Sequence, residues 1–173
     1  MKLDVSDIIS NPGKPKVVEG HIDSDVFEIS GFELKVFNTQ PFEISLSMVD
    51  KKRLMVSFET SLSIEAPCDR CLEDVKLDFD INVEQSYKCE SGELFMEDED
   101  DEANCIEGSL IDIDGLVKED ILINWPLKIL CRDDCKGLCP KCGINYNNAT
   151  CNCDNTVLDP RMAQFLDVFN ESN

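Results

Sequence analysis

Residues 54–83 read LMVSFETSLSIEAPCDRCLEDVKLDFDINV. In the first half Leu54, Val56, Phe58, Leu62, Ile64 and Ala66 share one face, against Met55, Ser57, Glu59, Ser61, Ser63 and Glu65 on the other. In the second half Val75, Leu77, Phe79, Ile81 and Val83 alternate with Lys76, Asp78, Asp80 and Asn82. A period of two is that of a strand with one buried face. The stretch therefore predicts two long antiparallel strands joined by the loop Pro67 to Asp74, with Cys68-Asp69-Arg70-Cys71 at its tip. A lone hairpin cannot bury its apolar face, so further strands must complete a sheet or open barrel around it.

Working outward, Phe42, Ile44, Leu46 and Met48 alternate with Glu43, Ser45 and Ser47, which predicts another half-buried strand. A short helix is expected around Val5 to Ser10, ending before the turn signal Asn11-Pro12-Gly13. Downstream, residues 90–107 contain the unbroken acidic run Glu97 to Glu102, which reads as a solvated, self-repelling loop or as a charge mimic that attracts a basic partner. Ile111 and Ile113 suggest a short strand, and Asp114 is expected to cap a helix through about Asn124 that ends before Pro126. At the far end Asp159 is a good N-cap, Pro160 fits the first helical position, and Met162, Phe165, Leu166 and Phe169 form an apolar stripe.

The chain has 173 residues, enough for one domain with a small appended module. Lys plus Arg number 16 against 36 Asp plus Glu, a formal net charge of −20. That balance excludes a broadly cationic nucleic-acid clamp, so any RNA contact must be local, bridged by metal, or made through a basic protein. No apolar run approaches the length needed to cross a bilayer, and Asp4 and Asp7 stand where a signal peptide needs an apolar stretch. The expected location is the cytoplasm, with no membrane partner.

Ten cysteines in a reducing compartment point to metal or redox chemistry more than to disulfides. Cys139-Pro140-Lys141-Cys142-Gly143 has the form of a zinc knuckle, in which the tight turn aims N–H groups at two thiolates and Gly143 is free to take a positive φ. Cys131 and Cys135 precede it and Cys151 and Cys153 follow it, six potential ligands within 23 residues. With Cys68 and Cys71 there are eight, the number that two all-thiolate sites require, although four cysteine pairs can be joined in three ways. The short connection favours Cys139 and Cys142 with Cys151 and Cys153, leaving Cys131, Cys135, Cys68 and Cys71 for a second ion. Zinc is favoured over an iron–sulfur cluster by the knuckle pattern, and one or two structural ions are expected. Such an ion supplies folding energy to a stretch between Cys131 and Cys153 that has hardly any apolar periodicity. Cys89 and Cys105 lie outside the clusters and read as buried packing residues. The one histidine, His21, is far from the cysteines in sequence, so a catalytic zinc or a hydrolase triad finds no support.

Taken together, Cys68-Asp69-Arg70-Cys71 on a strand loop, Asn124-Trp125-Pro126-Leu127, CRDDCKGLCPKCGINYN followed by CNC, and Asp159-Pro160-Arg161-Met162 resemble the bacterial YceD family. Its members are called large ribosomal RNA subunit accumulation proteins. The resemblance spans nearly the whole chain and implies a non-enzymatic cytosolic factor that supports synthesis, processing or stability of 23S ribosomal RNA. It also implies that the loop around Arg70 is a candidate for the shared activity.

The expected fold class is α+β: an antiparallel sheet or open barrel with a few helices and a C-terminal cysteine-rich zinc module. Its expected divisions are a mostly antiparallel β domain over 1–125, with an acidic loop over 90–107, a zinc-binding module over 126–158, and a C-terminal helix over 159–173 packing back. The expected partners are large-subunit components, either a basic ribosomal protein or a ribosomal RNA precursor, with no small-molecule substrate. Arg70, Arg132, Lys136 and Lys141 are the candidate contact residues, a small basic spot near the metal. The competing function is thiol–disulfide or redox-sensing chemistry at Cys68 and Cys71. Their placement between antiparallel strands, away from a helix N-terminus, argues against it.

Overall fold

The computed structural model describes residues 1–11, 13, 15–29, 31–50, 52–96 and 105–154. Along the chain lie β1 (Lys2–Asp4), α1 (Ser6–Ser10), β2 (Lys16–Gly20), β3 (Val26–Ile29), β4 (Phe32–Phe37) and β5 (Phe42–Asp50). They are followed by β6 (Arg53–Pro67), β7 (Asp74–Glu90), β8 (Glu93–Met96), β9 (Ile106–Glu107), β10 (Leu110–Asp112) and α2 (Ile113–Ile123). The protein is thus sheet-rich with two helices among its described residues, and its sheets are open and antiparallel.

The hairpin that the sequence predicts is β6 and β7, and it organises the larger sheet. β6 pairs with β5 through Ile44↔Phe58 to Met48↔Leu54, and with β4 through Lys35↔Glu65 to Phe37↔Ser63. It also pairs with β7, while β2 and β3 extend the order as β2-β5-β6-β4-β3. A smaller sheet joins β1, β10 and β9. The alternation works as read: Leu54, Val56, Phe58, Leu62, Ile64 and Ala66 are buried on β6, as are Phe79, Ile81 and Val83 on β7. Phe42 stacks on Phe58 with ring centroids 5.1 Å apart, and Phe79 stacks on Trp125 at 5.8 Å.

Two expectations change. The stretch from residue 90 opens with regular structure, since β7 runs to Glu90 and turns back through Ser91 and Gly92, both at positive φ, into β8. Tyr87, Lys88, Cys89 and Glu90 pair there with Met96, Phe95, Leu94 and Glu93, so Leu94 joins the core. Asp114 does not cap α2. It lies inside the first turn, buried, and accepts from the Ser24 hydroxyl at 2.9 Å and from the backbone N–H groups of Asp23 and Ser24. Asp112 takes the N-cap position. Leu116, Val117 and Ile121 are buried on α2, as expected from their spacing. The acidic run Glu97 to Glu102 and the helix expected over 159–173 lie outside the described residues. Among the described residues no helix is long and apolar enough to cross a membrane.

The compact units are not consecutive in sequence. One comprises 1–66 with 74–129; the other comprises Pro67–Glu73 with the chain from Leu130 on. The linear division after residue 125 thus gives way to one in which the β6–β7 loop belongs with the cysteine-rich segment, because that loop carries two cysteines of a shared cluster. Every residue of the hydrophobic core cluster belongs to the first unit. Among the described residues, the large apolar side chains of the second unit stay at least partly exposed, Leu72 at 65%. The side chains that its described residues bury are those of Cys68, Cys71, Cys135 and Cys139.

Candidate metal centres

The β6–β7 loop and the segment 139–144 adopt one local design. In the first, Leu72 N–H donates to the Cys68 carbonyl at 3.0 Å and Cys68 N–H donates to the Glu73 carbonyl at 2.8 Å. In the second, Gly143 N–H donates to the Cys139 carbonyl and Cys139 N–H to the Ile144 carbonyl, both at 2.9 Å. The residue after the second cysteine is left-handed in each, with φ 60° at Leu72 and 71° at Gly143. Glycine takes that conformation without strain, which makes the second knuckle legible in the sequence; leucine takes it at a cost, and so hides the first.

The eight clustered cysteines form two sets. Within Cys68, Cys71, Cys131 and Cys135, and within Cys139, Cys142, Cys151 and Cys153, all sulfurs lie within 4.8 Å of one another. These are the groupings favoured from chain spacing. Cys68 and Cys135 sulfurs are 3.9 Å apart, and those of Cys71 and Cys131 are 3.5 Å apart. A disulfide needs about 2.05 Å, and all ten cysteines are free. Sulfurs placed tetrahedrally at ~2.3 Å from one ion are about 3.8 Å apart. The donor sets therefore fit a thiophilic divalent cation, and both could hold one.

Electrostatics points the same way. Burial opposes ionisation of Cys68, but the N–H groups of Arg70, Cys131 and Cys71 aim at its sulfur and bring the thiol down to about 6. The Tyr146 hydroxyl, with N–H groups of Cys142 and Lys141, brings Cys139 down to about 5. The neighbouring sulfurs of Cys142 and Cys151 push Cys153 up to about 12. At Cys71 an N–H bond from Glu73 lowers the thiol, but burial and the surrounding sulfurs outweigh it and push it up to about 12. Cys68 and Cys135 in the first set and Cys139 in the second thus ionise more readily, while Cys71 and Cys131, and Cys142 and Cys153, are held up, a repulsion that a shared cation relieves.

Around the first set runs a shell of amides that cysteine spacing does not reveal. Asn147 Nδ2 donates to the Cys135 sulfur at 3.3 Å, and its Oδ1 accepts from Lys136 N–H at 2.8 Å. Asn145 donates to Glu73 at 2.9 Å and accepts from Asn147 N–H at 2.9 Å. The run Ile144-Asn145-Tyr146-Asn147-Asn148 between two cysteine pairs is the signal that could have found them, since metal-bound sulfur draws amide donors around it.

All four candidate contact residues fall in the second unit and are exposed. They are not equivalent. Arg70 Nη1 donates to the Cys135 carbonyl at 2.7 Å and the Arg70 carbonyl accepts from Leu138 N–H at 3.1 Å, so this residue braces the first set. Arg132 lies 3.9 Å from Asp134, while Lys136 and Lys141 form no ion pair with a described residue. Cys89 and Cys105 are buried apart from both sets, and the Cys105 thiol donates to Glu119 at 3.0 Å. Burial, then that carboxylate, pushes Cys105 up to about 12. His21 is exposed and pairs with Asp23 at 2.9 Å.

Among known proteins, the chain is similar to YlbN of Bacillus subtilis (strain 168), 32% identical over 117 residues, 66% of this chain and 66% of that protein. It is also similar to Rv2926c of Mycobacterium tuberculosis (strain ATCC 25618 / H37Rv), 25% identical over 101 residues, 58% of this chain and 48% of the relative. The aligned part thus spans just under two thirds of the first relative's length and about half of the second's. No solved structure matches. The family described as large ribosomal RNA subunit accumulation protein YceD matches residues 56–168, a span that takes in most of the hairpin and all eight clustered cysteines. That match covers well over half of the chain, which therefore belongs to the YceD family.

Proposed function

We propose that this protein is a non-enzymatic cytoplasmic factor that supports synthesis, processing or stability of 23S ribosomal RNA by binding a basic component of the large-subunit precursor. Membership of a family named for large-subunit ribosomal RNA accumulation carries the reading. The net charge of −20 supports the choice of a cationic protein over bare RNA as direct partner, because an acidic surface steers basic proteins toward it and repels phosphate. Each cysteine set holds one structural zinc, which gives the second unit the core that its described apolar residues do not provide. Arg70, Arg132, Lys136 and Lys141 serve as the contact spot on this unit, with Arg70 acting through the loop it braces. The burial of Cys68 and Cys71 within one sulfur set weighs against their working as a free thiol–disulfide pair.

Depletion in cells followed by quantification of ribosomal RNA tests the biological part: 23S should fall relative to 16S, and an unchanged ratio overturns it. Affinity capture with and without nuclease tests the partner. Recovery of large-subunit proteins that survives nuclease is expected, and recovery only with intact RNA replaces the protein partner by RNA.

A further inference from the structure

The two cysteine sets differ in how far solvent reaches them. In the first, Cys68, Cys71 and Cys135 are 0%, 4% and 2% exposed. It is held from outside by Arg70 on the Cys135 carbonyl and Asn147 on the Cys135 sulfur, and from within by Cys131 N–H on the Cys68 sulfur at 3.4 Å. In the second, only Cys139 is buried; Cys151 and Cys153 are half-buried, and Cys142 is the one exposed cysteine of the ten. The space next to it is open, since a Cβ built on Gly143 would meet nothing within 4 Å.

Resting on the reading that both sets hold metal, we propose that Cys139, Cys142, Cys151 and Cys153 form an oxidant-responsive modification site, at which peroxides make a disulfide through Cys142 while the first set stays intact. The Cys142 thiolate attacks one oxygen of hydrogen peroxide; the O–O bond breaks, hydroxide leaves, and the sulfur becomes a sulfenic acid. A second thiolate of the set attacks that sulfur, forms the S–S bond and expels a second hydroxide. Two thiolates lose one electron each and the peroxide gains both. The set keeps two of its four sulfur ligands and no longer holds its cation. The change is reversible by a thiol reductant, because eight residues separate Cys142 from Cys151 and the open set recloses at small entropic cost.

The test uses the full chain as purified. Elemental analysis comes first: two zinc ions per chain sustain the metal reading, and none overturns it independently of the oxidation chemistry. Hydrogen peroxide is then added with a chromogenic chelator present, and samples are alkylated and mapped by mass spectrometry over time. The expected result is release of one ion, with protection from alkylation appearing at Cys142 and one partner of its set, about tenfold or more ahead of any change at Cys68, Cys71, Cys131 or Cys135. Dithiothreitol and added zinc should restore the starting pattern. Equal rates at the two sets, or earlier modification of the first, overturn the proposal. So does oxidation of Cys142 that stops at sulfinic acid with no disulfide.

Discussion

Gly137 and Gly143 separate two costs that a positive φ can carry. At Gly143, φ is 71° and the surroundings are open, so Gly143→Ala bears the backbone cost alone, about 1–2 kcal/mol. At Gly137, φ is 78° and a Cβ would stand 3.0 Å from the Arg70 carbonyl oxygen, the atom that accepts from Leu138. Gly137→Ala should therefore cost clearly more, and comparing the two midpoints in denaturant checks the order. The cysteines make a second residue-scale prediction. Cys135→Ser and Cys142→Ser should each remove one ion per chain, while Cys89→Ser should remove none, since Cys89 is buried outside both sets. Elemental analysis of the three variants decides this.

The hairpin strands β6 and β7 are also linked across their outward face by a polar chain. Asn38 Nδ2 donates to the buried Ser63 hydroxyl at 3.0 Å, and Ser63 donates to Asp78 at 2.6 Å. The Ser63 bond, then Lys76, holds the Asp78 carboxyl below its ordinary value of 3.8. A carboxyl depressed by folding adds stability above its unfolded pKa and loses it as pH falls through the folded value. Ser63→Ala should thus destabilise at neutral pH, with the difference from wild type shrinking below about pH 4; a constant difference down to pH 2 would show that Asp78 is not involved. Much at this scale was legible. Alternation from Leu54 to Val83 specified two strands because one-sided burial imposes a period of two, and the spacing of Leu116, Val117 and Ile121 specified the buried side of α2. Asp114 misleads because a capping residue and a buried acceptor of N–H groups are the same residue type, and only its distant partners, the segment Asp23-Ser24 and the Met1 amino group at 2.8 Å, tell them apart. The strand β8 was obscured by the acidic composition that comes after it. At the metal centres the cysteine spacing was informative, but Leu72 masked the first knuckle, and the asparagines act through contacts that no spacing encodes.

At the scale of the molecule, stability comes from two sources. On the proposed reading the first unit is stabilised by apolar burial and the second by ions held in its sulfur sets, so a strong chelator should raise hydrogen exchange in 67–73 and 131–154 and leave the amides of β5 and β6 protected. Simultaneous loss of protection in both units would contradict this division. A net charge of −20 makes a further expectation concrete: if the proposed partner is a cationic ribosomal protein, its binding should weaken by about tenfold or more between low and physiological salt, as screened attraction requires. Titration calorimetry at two ionic strengths measures it. The placement of Pro67–Glu73 in the second unit has a consequence for how the chain comes off its own ribosome. Cys68 and Cys71 emerge about sixty residues before Cys131, and so must wait, as bare thiols on a nascent hairpin, until translation has delivered the rest of their set. The other four cysteines are made within fifteen consecutive residues and can capture an ion almost at once. Zinc starvation during synthesis should therefore harm Cys68 and Cys71 first, however well buried they become once the polypeptide is complete.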